Sequence, residues 1–383
     1  MTPSGGRTGR PVSAGRVRRV PSGRRVVGLV AVLAAASLVA ACSSSDTTSS
    51  SSGPTTSASP ASTASDAPTG GTADAADVSL PCAVATRAGV EELGDFAVGR
   101  QFRTYVDTTR GTDADDERNL APTPDRTIAV SVLYPATGDA TVPGEFVQDA
   151  PPAALADGGS FPLVVYSHGV WSNGTERNDT LARWASAGYV VIAPTYPLSS
   201  GPGAKITDLP NQPGDLVFVA QSFSTEVLDS SDTLNGLVDS ECLALAGHSL
   251  GGATTLAATF DPCCGQLDVR AVVDIAGVLI PVTPGAELTR SDPVPTLIVH
   301  GDQDPLVPLA MGRRAFDELT GDRWFLTFIG GDHNSMFVPP ESALFDSAVL
   351  AFLDAQLKAD PADLDVLATT VAEQGDATLA NSP

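Results

Sequence analysis

Three observations predict an α/β domain, a mostly parallel central sheet with helices on both faces. Short apolar runs recur at residues 163–166, 190–193, 243–246, 271–274 and 296–299, the signature of strands buried on both sides. Segments with helical spacing separate most of these runs, and strands alternating with helices imply parallel pairing. About 300 residues remain once an N-terminal stretch of different composition is set aside, enough for one large domain.

That N-terminal stretch has two parts. Residues 1–25 carry seven arginines and no acid, and Val26 to Ala41 are almost wholly apolar. A basic segment, a short apolar core and small residues at its end read as a secretory signal. The core is short of the roughly 20 apolar residues that span a bilayer, which disfavours the alternative of a retained anchor helix. The run Leu38-Val39-Ala40-Ala41-Cys42 resembles a bacterial lipobox. The resemblance implies that 1–42 is a lipoprotein signal and that Cys42 is lipidated and becomes the new N-terminus. More than one acyl chain would then hold the protein at the membrane. The expected location is the outer face of the cytoplasmic membrane, or the medium after release. The pair Arg24-Arg25 hints at twin-arginine export, but the rest of that motif is poor. Residues 43–77 are Ser, Thr, Ala, Pro and Gly with scattered Asp, too little apolar surface to offset the entropy of ordering. They read as a flexible tether, leaving 78–360 as the folded domain and 361–383 as a tail.

The formal net charge is −23, and without residues 1–41 the count is 15 Lys and Arg against 45 Asp and Glu, close to −30. So acidic a surface argues against nucleic acid or anionic lipid as partner. Four cysteines follow Cys42: Cys82, Cys242, Cys263 and Cys264. An even number in an exported chain suggests two disulfides, with buried free thiols as the alternative. Adjacent Cys263 and Cys264 are expected to bond elsewhere rather than to each other.

Within the domain, residues 126–134 alternate apolar with small polar side chains up to Pro135 and read as a strand, with an earlier strand over 99–107. A last strand covers 324–329. Helices are expected over 175–187, 218–238, 249–259, 310–319 and 343–357. Residues 281–295 form a proline-rich loop where a cap or cleft wall could sit. Beyond Asp360 one short helix and a frayed tail are expected.

The chemistry centres on Gly247-His248-Ser249-Leu250-Gly251-Gly252, which follows an apolar run and precedes a helical segment. This is the G-x-S-x-G nucleophile elbow in its strand–turn–helix context. The tight turn strains the serine backbone, so its neighbours must be small, and the helix N-terminus favours negative charge developing above it. A base must come from His168, His248, His300 or His333. His248 adjoins the serine and should point away from the hydroxyl. His168 and His300 end strands before glycines and suit hydrogen bonds to loop backbone. His333, in the loop after the last strand, fits the order serine, acid, histidine. The acid lies in His300-Gly301-Asp302-Gln303-Asp304-Pro305. Asp302 and Asp304 compete there, and Asp332 is too close to His333 in sequence to orient its ring. An oxyanion needs two backbone donors; the residue after the nucleophile, Leu250, supplies one, and the loop holding His168, Gly169, Val170 and Trp171 the other. No metal site and no cofactor is called for.

Several stretches resemble bacterial dienelactone-hydrolase-like and platelet-activating-factor acetylhydrolase-like esterases of the α/β-hydrolase superfamily. They are Val98-Gly99 to Arg110, residues 126–136, Tyr166-Ser167-His168-Gly169, residues 187–191 and residues 247–253. The resemblance covers roughly 98–357, and chlorophyllase-like and polyester-degrading cutinase-like hydrolases share the scaffold. It implies the α/β-hydrolase fold and metal-free hydrolysis of a short-chain or lipid-like carboxylic ester through an acyl-enzyme on Ser249. By the family's H-G-D-x-D-x-x-V-P pattern Asp304 is the acid and Asp302 braces the loop, and Val170 is the second oxyanion donor. Leu250 stands where polyester hydrolases usually carry methionine, and 275–280 lack their tryptophan. A true dienelactone hydrolase uses cysteine where this chain has serine. Trp171 either lines the substrate cleft or packs under its loop. An acyltransferase on the same residues, and a non-catalytic binding lipoprotein, are the rival readings.

Overall fold

The computed structural model describes residues 94, 96–139, 145–155, 158–264, 267–358 and 362–383. The signal, Cys42, the tether and Cys82 lie outside the described residues. The described residues all belong to one compact unit, and none of their helices is long and apolar enough to cross a membrane.

Ten strands form one sheet: β1 (Ala97–Asp107), β2 (Arg126–Ala136), β3 (Val147–Gln148), β4 (Phe161–Ser167), β5 (Val190–Thr195), β6 (Val238–His248), β7 (Val269–Ile275), β8 (Thr296–Gly301), β9 (Arg323–Phe328) and β10 (Ala377–Ser382). Their order is β10-β9-β8-β7-β6-β4-β5-β2-β1-β3. From β5 to β9 all neighbours are parallel. β2 joins β5 antiparallel with Val132 opposite Ile192, and β1 lies antiparallel along β2.

Among the described residues six helices cover the sheet: α1 (Asn178–Ser186), α2 (Gln212–Glu226), α3 (Leu250–Phe260), α4 (Leu309–Glu318), α5 (Glu341–Leu357) and α6 (Ala362–Gln374). Because the central strands are apolar at every position, alternate residues feed two separate cores. Val164, Tyr166, Ala246 and Val299 pack with Trp184 of α1, Phe345 and Phe352 of α5 and Leu367 of α6. Leu163, Val165, Leu245 and Ile298 pack with Phe223 of α2, Leu256 of α3 and Phe316 of α4 on the other face.

The strand order fixes where a site can form. The chain steps outward from β4 to β5, then returns past β4 to lay down β6 on its other side. That reversal opens a crevice at the carboxyl ends of β4 and β6, where open α/β sheets bind ligands. Ser167-His168 and His248-Ser249 are the residues that emerge there.

Three expectations are corrected. The helix foreseen over 218–238 is α2, starting six residues earlier with Pro213 in its first turn and ending at Glu226. Asp229 and Asp232 end it, their carboxylates accepting from the Ser231 and Leu234 amides in successive turns. The tail is ordered: Leu367 and Val371 of α6 are buried, and β10 extends the sheet antiparallel to β9. Cys263 and Cys264 are disulfide-bonded to each other, in the short turn that ends α3, with Cα atoms 3.7 Å apart. The turn, held by Asp261 accepting from the Cys263 amide, brings the neighbouring side chains together. Cys242 is also disulfide-bonded.

Candidate active site

Ser249 sits between β6 and α3 with φ 58° and ψ −117°, a region that non-glycine residues rarely occupy. The strain is sustained by what surrounds it. The Ser249 amide donates to the Ile275 carbonyl at 2.8 Å, and its carbonyl accepts from Ala253 at 3.1 Å in the first turn of α3. A Cβ on Gly251 would stand 2.0 Å from the Ser167 carbonyl oxygen, so only glycine lets α3 approach the end of β4 so closely. Gly251→Ala must displace backbone rather than a flexible side chain. The expected cost is about 3 kcal/mol or more, with loss of elbow geometry. A thermal melt within a degree or two of wild type would contradict this close packing.

Asp304 and His333 come together from the loops after β8 and β9. His333 Nδ1 lies 2.6 Å from Asp304 Oδ2, while the other Asp304 oxygen accepts from the Leu306 and Val307 amides at 2.8 and 2.9 Å. Burial works to raise the Asp304 pKa, but the His333 contact and the two amides outweigh it and hold the carboxyl below its usual value. A carboxylate only accepts, so Nδ1 carries the ring proton and Nε2 is left with a lone pair. Glycine again permits the approach: a Cβ on Gly301 would meet the Gly331 carbonyl oxygen at 2.3 Å.

The remaining acids and histidines have other partners. Asp302 Oδ1 accepts from the Gly330 amide at 2.7 Å, bracing the two loops. Asp332 is exposed and accepts from the Asn334 amide at 2.9 Å. His168 is buried, within 2.7 Å of the Gly169 carbonyl and accepting from the Tyr196 amide at 3.1 Å, and burial lowers its pKa to about 4. His300 donates to the Val307 carbonyl at 2.8 Å and so shapes the loop that carries Asp304.

Gly169 packs against Ser249, since a Cβ there would lie 3.3 Å from Ser249 Cβ. The Ser172 amide donates to the Gly169 carbonyl at 3.2 Å and Trp171 has φ 69°, which makes 169–172 a type II turn with Val170 at its second position. Among the described residues no acceptor is bonded to the Val170 or Leu250 amide. Trp171 is half exposed, and its ring N–H donates to the Ala204 carbonyl at 3.2 Å, so it rests on the 199–204 loop beside Val170.

Several supporting roles are not signalled by the motif. Gln212 at the start of α2 donates to Ser199 Oγ and accepts from Thr254 of α3, and the Ser199 carbonyl accepts from the Trp171 amide. His248 and Arg177 both engage the His333 loop. His248 occupies a variable position of the elbow and the others belong to no recognisable pattern, and their partners lie elsewhere in the sequence.

Asp274, at the end of β7, is fully buried with its carboxyl between Gly252 and Gly277 and no side-chain hydrogen-bond partner. Burial pushes its pKa up to about 7, with the Gly277 amide opposing weakly. The folded chain therefore holds this proton more tightly than the unfolded chain, whose Asp titrates near 3.9. The native state is penalised progressively as pH rises from about 4 to 7, and fully above it. Asp274→Asn removes that penalty, so the melting temperature of the variant relative to wild type should climb between pH 5 and pH 8. Asp346, which burial also lifts to about 7 against the pull of Arg183, titrates in the same window, which is why the difference between the two proteins is the informative quantity. A difference independent of pH would show Asp274 already ionised at pH 5.

The sheet order, the elbow and the placement of Ser249, Asp304 and His333 after β6, β8 and β9 decide the fold. It is an α/β-hydrolase fold. The Chlorophyllase family model matches residues 147–294, a stretch containing Val170 and Ser249 but ending before Asp304 and His333. Chlorophyllase-1 of Arabidopsis thaliana is 28% identical over 165 residues, 42% of this chain and 46% of that protein. The chain thus matches about half the length of this curated relative. A ferulic acid esterase from Streptomyces cinnamoneus superposes with a TM-score of 0.49 at 21% identity, over 69% of this chain and 91% of that one. The named relative is a chlorophyllase, one of the scaffolds expected from the sequence.

Proposed function

We propose that this α/β-hydrolase cleaves carboxylic esters through an acyl-enzyme on Ser249. The observation that carries the reading is the pairing of a strained elbow serine with the His333–Asp304 contact at 2.6 Å, on two loops that glycine packing brings together. Ser249 Oγ attacks the ester carbonyl carbon while His333 Nε2 takes its proton. Asp304 holds the ring tautomer and stabilises the imidazolium. The tetrahedral oxyanion accepts hydrogen bonds from the Leu250 and Val170 amides, each worth on the order of 3 kcal/mol in the transition state. Collapse expels the alcohol, which takes the proton from His333. Water, activated by the same ring, then releases the acid.

The substrate is proposed as a short-chain or lipid-like ester, with Trp171 on the cleft wall. The matched family and the curated relative, both chlorophyllases by name, belong among the hydrolase scaffolds that the sequence resembles, which supports this choice of bond. Export and anchoring through Cys42 are part of the proposal and rest on the basic, apolar and lipobox residues of 1–42. Mass spectrometry of the N-terminus after expression in an exporting bacterium tests them, an unmodified Met1 or Cys42 counting against. For the reaction, nitrophenyl esters from acetate to laurate are the direct assay. Turnover that peaks at one chain length supports the reading and sizes the cleft. A folded protein inert on every ester contradicts it.

A further inference from the structure

Ser249 and Asp304 are each fixed by backbone hydrogen bonds, whereas His333 must keep its ring between them from a loop. Within the loop Asp332 bonds to Ser335 and to the Asn334 amide, and Asp302 and the Gln303 amide tie its start at Gly330 and Gly331 to the loop after β8. Two further side chains, from other elements, reach it at and beyond His333. His248, the last residue of β6, is buried with Nε2 3.0 Å from the His333 carbonyl oxygen. A carbonyl only accepts, so Nε2 carries the proton and donates. The two imidazoles lie 4.7 Å apart between centroids, and Phe337 meets His248 edge-on at 4.9 Å. Gly169 closes the other side, where a Cβ would stand 3.4 Å from His248 Nδ1. From the end of the 171–177 loop, Arg177 places its guanidinium 4.0 Å over the Phe337 ring and donates to Asn334 Oδ1 at 2.6 Å.

We propose that His248 and Arg177 are positioning residues that clamp the His333 loop, His248 by its hydrogen bond to the His333 carbonyl and Arg177 through Asn334 and Phe337. This deepens the esterase reading and rests on it. Neither side chain takes part in proton transfer. His248 ties the base to the residue directly before the nucleophile, so the strand that places Ser249 also places His333. Arg177 ties the same loop to the segment that begins with the Val170 turn. Burial, the facing His333 ring and the Arg177 charge hold the His248 pKa well below its ordinary value, so the ring stays neutral beside the base.

Three substitutions in the full chain test the clamp: His248→Phe, which keeps a ring and loses the donor, His248→Gln, which keeps an N–H donor, and Arg177→Gln. Misplacing a catalytic group by about an ångström costs on the order of 100-fold. For His248→Phe, kcat on the best nitrophenyl ester should fall roughly 10- to 100-fold with KM within about twofold. His248→Gln should recover most of that loss. Arg177→Gln should fall less, and the double variant with His248→Phe less than the product of the singles, because both hold one loop. The downfield proton resonance of the His333–Asp304 hydrogen bond should shift or broaden in His248→Phe and Arg177→Gln and persist in His248→Gln. An unmoved resonance with unchanged kcat in His248→Phe overturns the proposal, and so does His248→Gln as impaired as His248→Phe. The resonance is read without substrate. If the wild-type protein cleaves no ester, the esterase reading falls and the resonance still decides the clamp.

Discussion

Ser249→Ala should abolish ester hydrolysis while leaving the fold intact. Removing the nucleophile of such a constellation costs on the order of 10⁶ in kcat, the remaining rate coming from the oxyanion donors and binding. Alanine needs no partner and loses only a hydroxyl. The unusual φ of 58° is imposed by the β6–α3 turn and the Ile275 contact, which the substitution leaves in place. The melting temperature should therefore stay within a few degrees of wild type. Undiminished turnover by Ser249→Ala would assign the chemistry to another residue. Parallel loss of fold and activity would make the serine structural.

Asp304→Asn should lower kcat by about 10⁴ with little change in fold, because an amide in place of the carboxylate leaves His333 in the wrong tautomer. The Leu306 and Val307 amides still find an acceptor in the Asn carbonyl, so its NH₂ must face His333 Nδ1, which then has to accept. Asp302→Asn is the contrast. Its carboxylate serves the Gly330 amide, and an Asn carbonyl can accept the same bond. The expected effect is about 1 kcal/mol or less on stability and a small change in kcat. The sequence leaves two aspartates in competition; kinetics of the two variants side by side separates them. Comparable losses would mean that the acid's role is shared or that the loop moves as a whole.

Much of this arrangement is legible in the amino-acid order alone. Continuous apolar runs such as 243–246, bounded by turn residues, suit strands buried on both faces, and the glycines around Ser249 suit a tight turn between strand and helix. Placing His333 needs only chain order. Other features are hidden because they depend on partners distant in sequence. Residues 227–237 look helical in composition, and the Asp229 and Asp232 turns end the helix by local side-chain hydrogen bonds that compete with it. β10 is only weakly apolar, and its place follows from the edge that β9 offers. His248 looks idle in sequence because it adjoins the serine; its partner, the His333 carbonyl, lies 85 residues away. Adjacent Cys263 and Cys264 suggest separate partners, since sequence does not convey the turn that lets them meet.

The most direct measurement is labelling of the purified protein with a fluorophosphonate, followed by peptide mass spectrometry and assay of residual esterase activity. The account predicts one adduct per chain, on the peptide bearing Ser249, with activity lost in proportion to labelling and no adduct in Ser249→Ala. A protein that hydrolyses esters yet is modified elsewhere, or not at all, would contradict Ser249 as the nucleophile.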